Sequence, residues 1–204
     1  MPSSSDFRQR VVEVAVAEWR YWGRQNGYPK FRRGHREHER IYRRRVITYW
    51  REGVGRKVTS SRVAWSGAFV SFVMRRAGAG PSFPYSGSHG TYMRAALATA
   101  TKGRTRGSIV AHRPDQYAPR PGDLVCNTRR RGASFDYVPS PFIGHCDIVI
   151  ATGRGRVVVI GGNLSNGVSR RTLIADRRGR ILRRQPRAMD PSVKGWIMVI
   201  EVKI

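Results

Sequence analysis

Acidic side chains, lysines and cysteines are all scarce in this chain, and each shortage excludes something. Only 13 Asp and Glu stand against 39 Lys and Arg, which leaves a formal net charge of +26 over 204 residues. A chain so basic repels itself and attracts anions. A polyanionic partner is therefore expected: nucleic acid, an anionic cell-envelope polymer, or an acidic neighbour in an assembly. Only 5 of the basic residues are Lys, so the excess is almost all arginine, the better bidentate ligand for phosphates and carboxylates. A GC-rich genome would favour arginine codons too, but it would not remove acids. Two cysteines, Cys126 and Cys146, are too few for a disulfide framework or a four-ligand zinc site. Each stands at strand spacing among apolar residues and reads as a buried thiol. No run of 18 apolar residues occurs, which excludes a membrane-spanning helix. Residues 1–6 lack the basic start and apolar core of a signal peptide. The expected location is thus cytoplasmic, virion-associated or reached through dedicated export. No helix-turn-helix, zinc-finger or RNA-recognition pattern is present, so nucleic acid would be held through its phosphates, without sequence readout. No acid or histidine spacing fits a metal, and no cofactor is expected.

What is present divides into a helical first half and a strand-rich second half. Apolar residues at 7, 11, 12, 15, 16, 19 and 22 make one broad face, the period of an amphipathic helix over 7–22. A turn is expected at 27–30 and a charged helix over 31–50, with Tyr42, Val46, Tyr49 and Trp50 as its apolar stripe. Trp19, Trp22, Tyr49 and Trp50 read as packing between these two helices, with base stacking as the rival reading. A third helix is expected from about 62 to 76, capped by Thr59, Ser60 or Ser61 and ended by Gly78. It is small or apolar on nearly every side, so it should be the central buried one. A loop over 79–90 and a short helix over 91–101 follow. From Ile109 the periodicity shortens to strands, among them 124–126, 145–151, 157–160, 169–174, 180–184 and 196–202. Helices followed by an antiparallel sheet make the expected class α+β. Residues 1–58 read as a basic helical segment and 59–204 as the α+β domain, together one compact unit.

Two stretches carry the chemistry. Ala64-Trp65-Ser66-Gly67-Ala68-Phe69-Val70-Ser71-Phe72-Val73 opens the buried helix with Ser66 in its first turn. Such a serine either packs, with its hydroxyl bonded back to the preceding turn, or attacks. In the second case the free N–H groups and positive end of the helix stabilise the oxyanion. Gly144-His145-Cys146-Asp147-Ile148-Val149 begins a strand with a histidine, one of five in the chain. A nucleophile needs a base, and His145 is the candidate. A third group should orient the imidazole. Asn163 follows Gly161-Gly162, two glycines read as a sharp turn after the next strand, and Asp147 shares a strand face with His145. Asn166 is a weaker third candidate. His89, in a Gly/Ser-rich loop, either lines a cleft and contacts substrate or caps the next helix. Cys146 points away from His145, as strand neighbours do, and Cys126 is held as a reserve nucleophile.

These pieces, in this order, resemble the bacterial domain-of-unknown-function family 2272, itself similar to the CHAP and NlpC/P60 amidase–peptidase superfamily. The matching segments are 64–74, His89-Gly90-Thr91-Tyr92, Pro121-Gly122-Asp123-Leu124-Val125-Cys126, 145–149 and Gly161-Gly162-Asn163-Leu164-Ser165-Asn166. They span about half the chain. The resemblance implies a papain-like (NlpC/P60-like) central helix packed on an antiparallel sheet, with extra N-terminal helices. It places Ser66 on the nucleophile, His145 on the base and Asn163 on the orienting residue; Trp65, His89 and Asp147 are expected at the substrate from their positions beside these. The superfamily has a cysteine where this chain has Ser66, and a hydroxyl is much harder to ionise than a thiol. The expected reaction is hydrolysis of an amide bond in peptidoglycan peptide or a similar peptide. The alternative is an inactive, strongly basic binding or structural protein, partnered by a polyanion or built into a virion or secretion assembly.

Overall fold

The computed structural model describes residues 4–27, 34–103, 109–186 and 192–204. Helix α1 (Ser4–Tyr21) buries Phe7, Val11 and Ala15, and Trp22 lies buried just past its end. That is the face its apolar spacing specifies. Helix α2 (Arg40–Thr48) runs directly into wider π-helical turns over Tyr49–Val54, which Gly55 ends in the left-handed conformation. Trp22 Nε1 donates to Tyr49 Oη at 2.8 Å, and Tyr49 Oη donates to Glu18 at 2.5 Å. Arg45 reaches the same carboxylate. Aromatic packing and one buried acid therefore join α1 to α2. Residues 28–30 of the turn expected at 27–30, and the first residues of the charged segment, 31–33, lie outside the described residues. The segment becomes helical only at Arg40.

Helix α3 (Ser66–Ala77) is the central buried helix, but it starts at Ser66, four residues later than its composition suggests. Ser60 and Ser61 do not cap it: Ser60 Oγ accepts from the Arg62 N–H, and Ser61 Oγ donates to the Glu37 carbonyl. Trp65 stands at the N-cap, and its own side chain makes no capping bond. Gly78 closes the helix with φ 89°. Helix α4 (His89–Thr101) begins two residues earlier than expected, so His89 belongs to its first turn.

The sheet has seven strands: β1 (Gln25–Asn26), β2 (Ile109–His112), β3 (Leu124–Thr128), β4 (Gly144–Gly153), β5 (Arg156–Leu164), β6 (Gly167–Ile174) and β7 (Gly195–Val202). Their order is β1-β6-β5-β4-β3-β7-β2. The short β1 runs parallel to β6, so the sheet is mixed and the expectation of a purely antiparallel one is corrected. The class is α+β. Residues 180–184 form no strand; they make the isolated bridge Ala175↔Ile181 and single backbone bonds to Ile174, Asp176 and Trp196. The chain does not turn at Gly161-Gly162 either. Strand β5 continues to Leu164, and the hairpin closes at Ser165 and Asn166, both left-handed with φ 49° and 60°. Positive φ at both central residues matches the twist of a two-residue hairpin.

One sheet face packs on the helices through Leu124, Cys126, Cys146, Ile148 and Ile160, with Phe69, Phe72 and Val73 of α3 in the same core. The alternating residues Val125, Val149, Val157, Val159 and Trp196 make a smaller second cluster. Cys126 and Cys146 face each other in register and are joined by a disulfide. This corrects the expectation of two buried thiols and removes Cys126 as a reserve nucleophile. The buried Asp123 of the Pro121-Gly122-Asp123 turn accepts from Arg8 of α1 at 2.7 Å and from the Val202 N–H of β7 at 3.2 Å. That turn thus pins the first helix to the last strand. Among the described residues, no helix is long and apolar enough to cross a membrane.

Candidate functional site

Ser66 opens α3, where the first backbone N–H groups have no intrahelical acceptor. Gly67 follows because the Gly87 carbonyl would lie 2.2 Å from any Cβ placed there. The loop carrying Gly87 is held against α3 by Ser71, whose Oγ donates to the Ser86 carbonyl at 2.8 Å and accepts from the Ser86 N–H at 2.9 Å. This stitching sets the start of α4, and with it His89, beside the start of α3.

The hydroxyl of Ser66 meets His89. Ser66 Oγ lies 2.7 Å from His89 Nε2, and the other ring nitrogen, Nδ1, is hydrogen-bonded to the hydroxyl of Tyr92. Residues three apart on a helix share a face, so His89 and Tyr92 are natural partners. Ser66 is half-buried, whereas His89 is 5 % exposed and Tyr92 fully buried. Burial first, then the neighbouring His145, push the imidazole of His89 well below the ordinary histidine value. Arg129 acts in the same direction and Asp147 against it. Burial likewise raises the Tyr92 phenol well above its usual value. The row of serine, histidine and tyrosine is therefore neutral.

His145 does not bond to Ser66. Its ring lies edge-on to that of His89 with centroids 5.1 Å apart. Its Nε2 is 3.0 Å from Asp147 Oδ1, the same-strand partner that alternation makes available. Asp147 Oδ2 accepts from Arg171 Nη2 at 2.5 Å and from Nε at 3.2 Å. Arg171 reaches it from β6, across β5, and lies over the ring of Trp196. Burial opposes ionisation of Asp147, but Arg171 and then His145 outweigh it and hold the carboxyl well below the usual carboxylate range. Burial also lowers His145 below the ordinary histidine value, with Asp147 opposing. Gly161 and Gly162 make room for this arrangement. A Cβ on Gly161 would stand 2.0 Å from Asp147 Oδ1 and 2.7 Å from His145 Nε2, and one on Gly162 would stand 2.6 Å from Phe69 Cβ.

The expected residues thus fall into place unevenly. Ser66, His89, His145 and Asp147 come together at the meeting of α3, α4 and β4. Asn163 does not join them: it occupies an irregular stretch of β5 with φ 57°. Among the described residues no hydrogen bond links it to His145, whose partner is Asp147. Trp65 is fully buried, stacked on Trp22 with centroids 5.3 Å apart and bonded through Nε1 to Glu37. It supports Ser66 from beneath and has no surface to offer a substrate. Tyr92 and Arg171 were missed. Only Tyr92 left a local signal, its spacing of three from His89.

The fold and site together define an α+β protein in which a half-buried serine at a helix start meets one buried histidine, with a second packed behind it. The chain belongs to the family described as "uncharacterized protein conserved in bacteria (DUF2272)", whose model matches residues 20–202. No curated protein and no solved structure matches the chain.

Proposed function

We propose that the protein hydrolyses an amide bond in a peptide, with Ser66 as nucleophile and His89 as its base. The observation that carries this reading is the 2.7 Å contact between Ser66 Oγ and His89 Nε2 at the open first turn of α3. In the tautomer the reaction needs, Nδ1–H donates to the Tyr92 oxygen and Nε2 accepts the Ser66 proton. As Oγ attacks the carbonyl carbon, the proton passes to Nε2. The new oxyanion meets backbone N–H groups of the first turn of α3. His89 then protonates the departing amine, and a water, deprotonated by His89, releases the acyl group from Ser66. A base lowered by burial is neutral at pH 7 and ready to accept. The ionised Asp147 favours the imidazolium that forms, since its charge acts on His89 in that sense. His145, bonded to Asp147, buttresses the His89 ring and takes no proton from Ser66. A papain-like, NlpC/P60-like frame with peptidoglycan peptide as substrate fits the order of the motifs from Ser66 to Asn166.

Purified protein incubated with cell-wall peptides, beside Ser66→Ala and His89→Ala, tests this. New amine groups should accumulate with the native chain and fall by about three orders of magnitude in either variant. Equal release by all three proteins would refute the assignment.

The arginine excess supports a second property of the same molecule. A charge of +26 concentrates a protein on an anionic polymer. Binding to an anionic envelope polymer or to DNA should weaken steeply between 50 and 200 mM salt, by about tenfold or more. Binding that ignores salt would remove the polyanion from the account. Salt-sensitive binding without hydrolysis would leave a basic binding module on this fold.

A further inference from the structure

The interior beside the two histidines contains polar groups that the proposed reaction does not use. Asn127 is fully buried, and neither its amide oxygen nor its amide nitrogen has a hydrogen-bond partner. Buried side-chain amides are nearly always satisfied, so such a group calls for a missing partner. Asn127 stands directly opposite His145 in the β3–β4 ladder and opposite Trp196 in the β3–β7 ladder. Cross-strand partners share a sheet face, so the amide lies on the His145 side. Two residues on, the Arg129 N–H donates to the Ile143 carbonyl, continuing the ladder and returning Arg129 to the same face. Arg129 Nε is buried without an acceptor. Among the described residues its guanidinium has no carboxylate partner, unlike Arg171, Arg45 and Arg8. A guanidinium cannot discharge by losing a proton, so its buried Nε–H needs an acceptor from elsewhere.

We propose that Asn127 and Arg129 form a subsite for a carboxylate of the substrate, next to the bond that Ser66 attacks. This rests on the hydrolase reading and adds the substrate class: an acyl compound or peptide bearing a free carboxylate close to the scissile amide. One guanidinium edge and one amide N–H match the two oxygens and single charge of a carboxylate. A phosphate dianion would leave one charge unmet. The subsite also couples binding to chemistry. The positive charge of Arg129 adds to burial in holding both imidazoles down. A carboxylate placed against Arg129 relieves that effect and makes His89 a stronger base only when substrate is present.

The test measures binding in Ser66→Ala, so it does not depend on turnover. Imidazole NMR signals of His89 and His145 are followed while N-acetylglycine, N-acetylglycinamide or inorganic phosphate is added. N-acetylglycine should shift both rings saturably and bind at least about tenfold tighter than the amide or phosphate. It should also raise the His89 imidazole pKa. Adding Arg129→Gln should abolish the preference for the acid, and Arg129→Lys should keep part of it. Arg130→Gln, which alters an exposed neighbour, should leave affinity within about twofold, because an exposed charge is screened. Equal binding of acid and amide overturns the proposal, as does an equal loss in Arg130→Gln. Tighter binding of phosphate overturns the carboxylate assignment. Failure here would leave the Ser66–His89 reading standing, and failed hydrolysis would leave this binding result intact.

Discussion

Two histidines lie ring against ring in this molecule, and their hydrogen-bonded rows end differently. The row through His89 runs from the half-buried Ser66 hydroxyl to the buried Tyr92 phenol, with no charge anywhere along it. The row through His145 runs inward to Asp147 and Arg171 and ends in a buried ion pair. Only the first reaches a serine hydroxyl, whereas His145 has its Nε2 held by Asp147. The second supplies a fixed negative charge close to where a positive one would form. In the proposed reaction the two adjacent histidines therefore have separate work, His89 in proton transfer and His145 in holding the site together.

Breaking the inner row should have the largest effect on stability. Asp147→Ala removes the carboxylate that holds both His145 and Arg171 from a fully buried position. The expected cost is about 3–5 kcal/mol in urea unfolding, against less than about 1 kcal/mol for Ser66→Ala. Equal losses in the two variants would contradict the division of labour.

A smaller effect comes with pH. Both imidazoles have folded values below the ordinary histidine value. Between those folded values and the unfolded value near 6.5, only the unfolded chain takes up protons, so stability should fall as pH drops below about 6.5. Asp147, held below its unfolded value, should add a further loss below about pH 4. Unfolding midpoints measured from pH 7.5 to 5 should decline in the native chain and more shallowly in a folded His89→Gln. An identical decline in both would show that His89 is not held neutral by its surroundings.

The parts legible in the sequence are those set by local pattern. The apolar spacing of α1, the small residues of α3 and the alternation that puts Asp147 on the face of His145 all reappear in the fold. Ser66 at a helix start was legible for the same reason. What escaped depends on register between distant segments. The Cys126–Cys146 bridge exists because those residues of neighbouring strands fall opposite one another, and the Arg171–Asp147 pair because β6 and β4 flank β5; no local pattern fixes either. Gly161-Gly162 was misread as a turn. Adjacent glycines inside a strand also mark close approach of other groups, here Asp147 and His145 on one side and Phe69 on the other. His89 was placed in a loop because the start of α4 carries no strong cap. Its pairing with Ser66 needed the loop that Ser71 stitches to α3.

The central claim, that Ser66 is activated by His89 and not by His145, is tested most directly by a covalent probe of the native protein. A fluorophosphonate reacts with a serine in proportion to its activation by a base, and peptide mass mapping shows which serine is modified. The account predicts modification at Ser66, slowed by about a hundredfold or more in His89→Gln and by less than about tenfold in a folded His145→Gln. Modification elsewhere, or a rate at Ser66 that survives His89→Gln and collapses in His145→Gln, would contradict it.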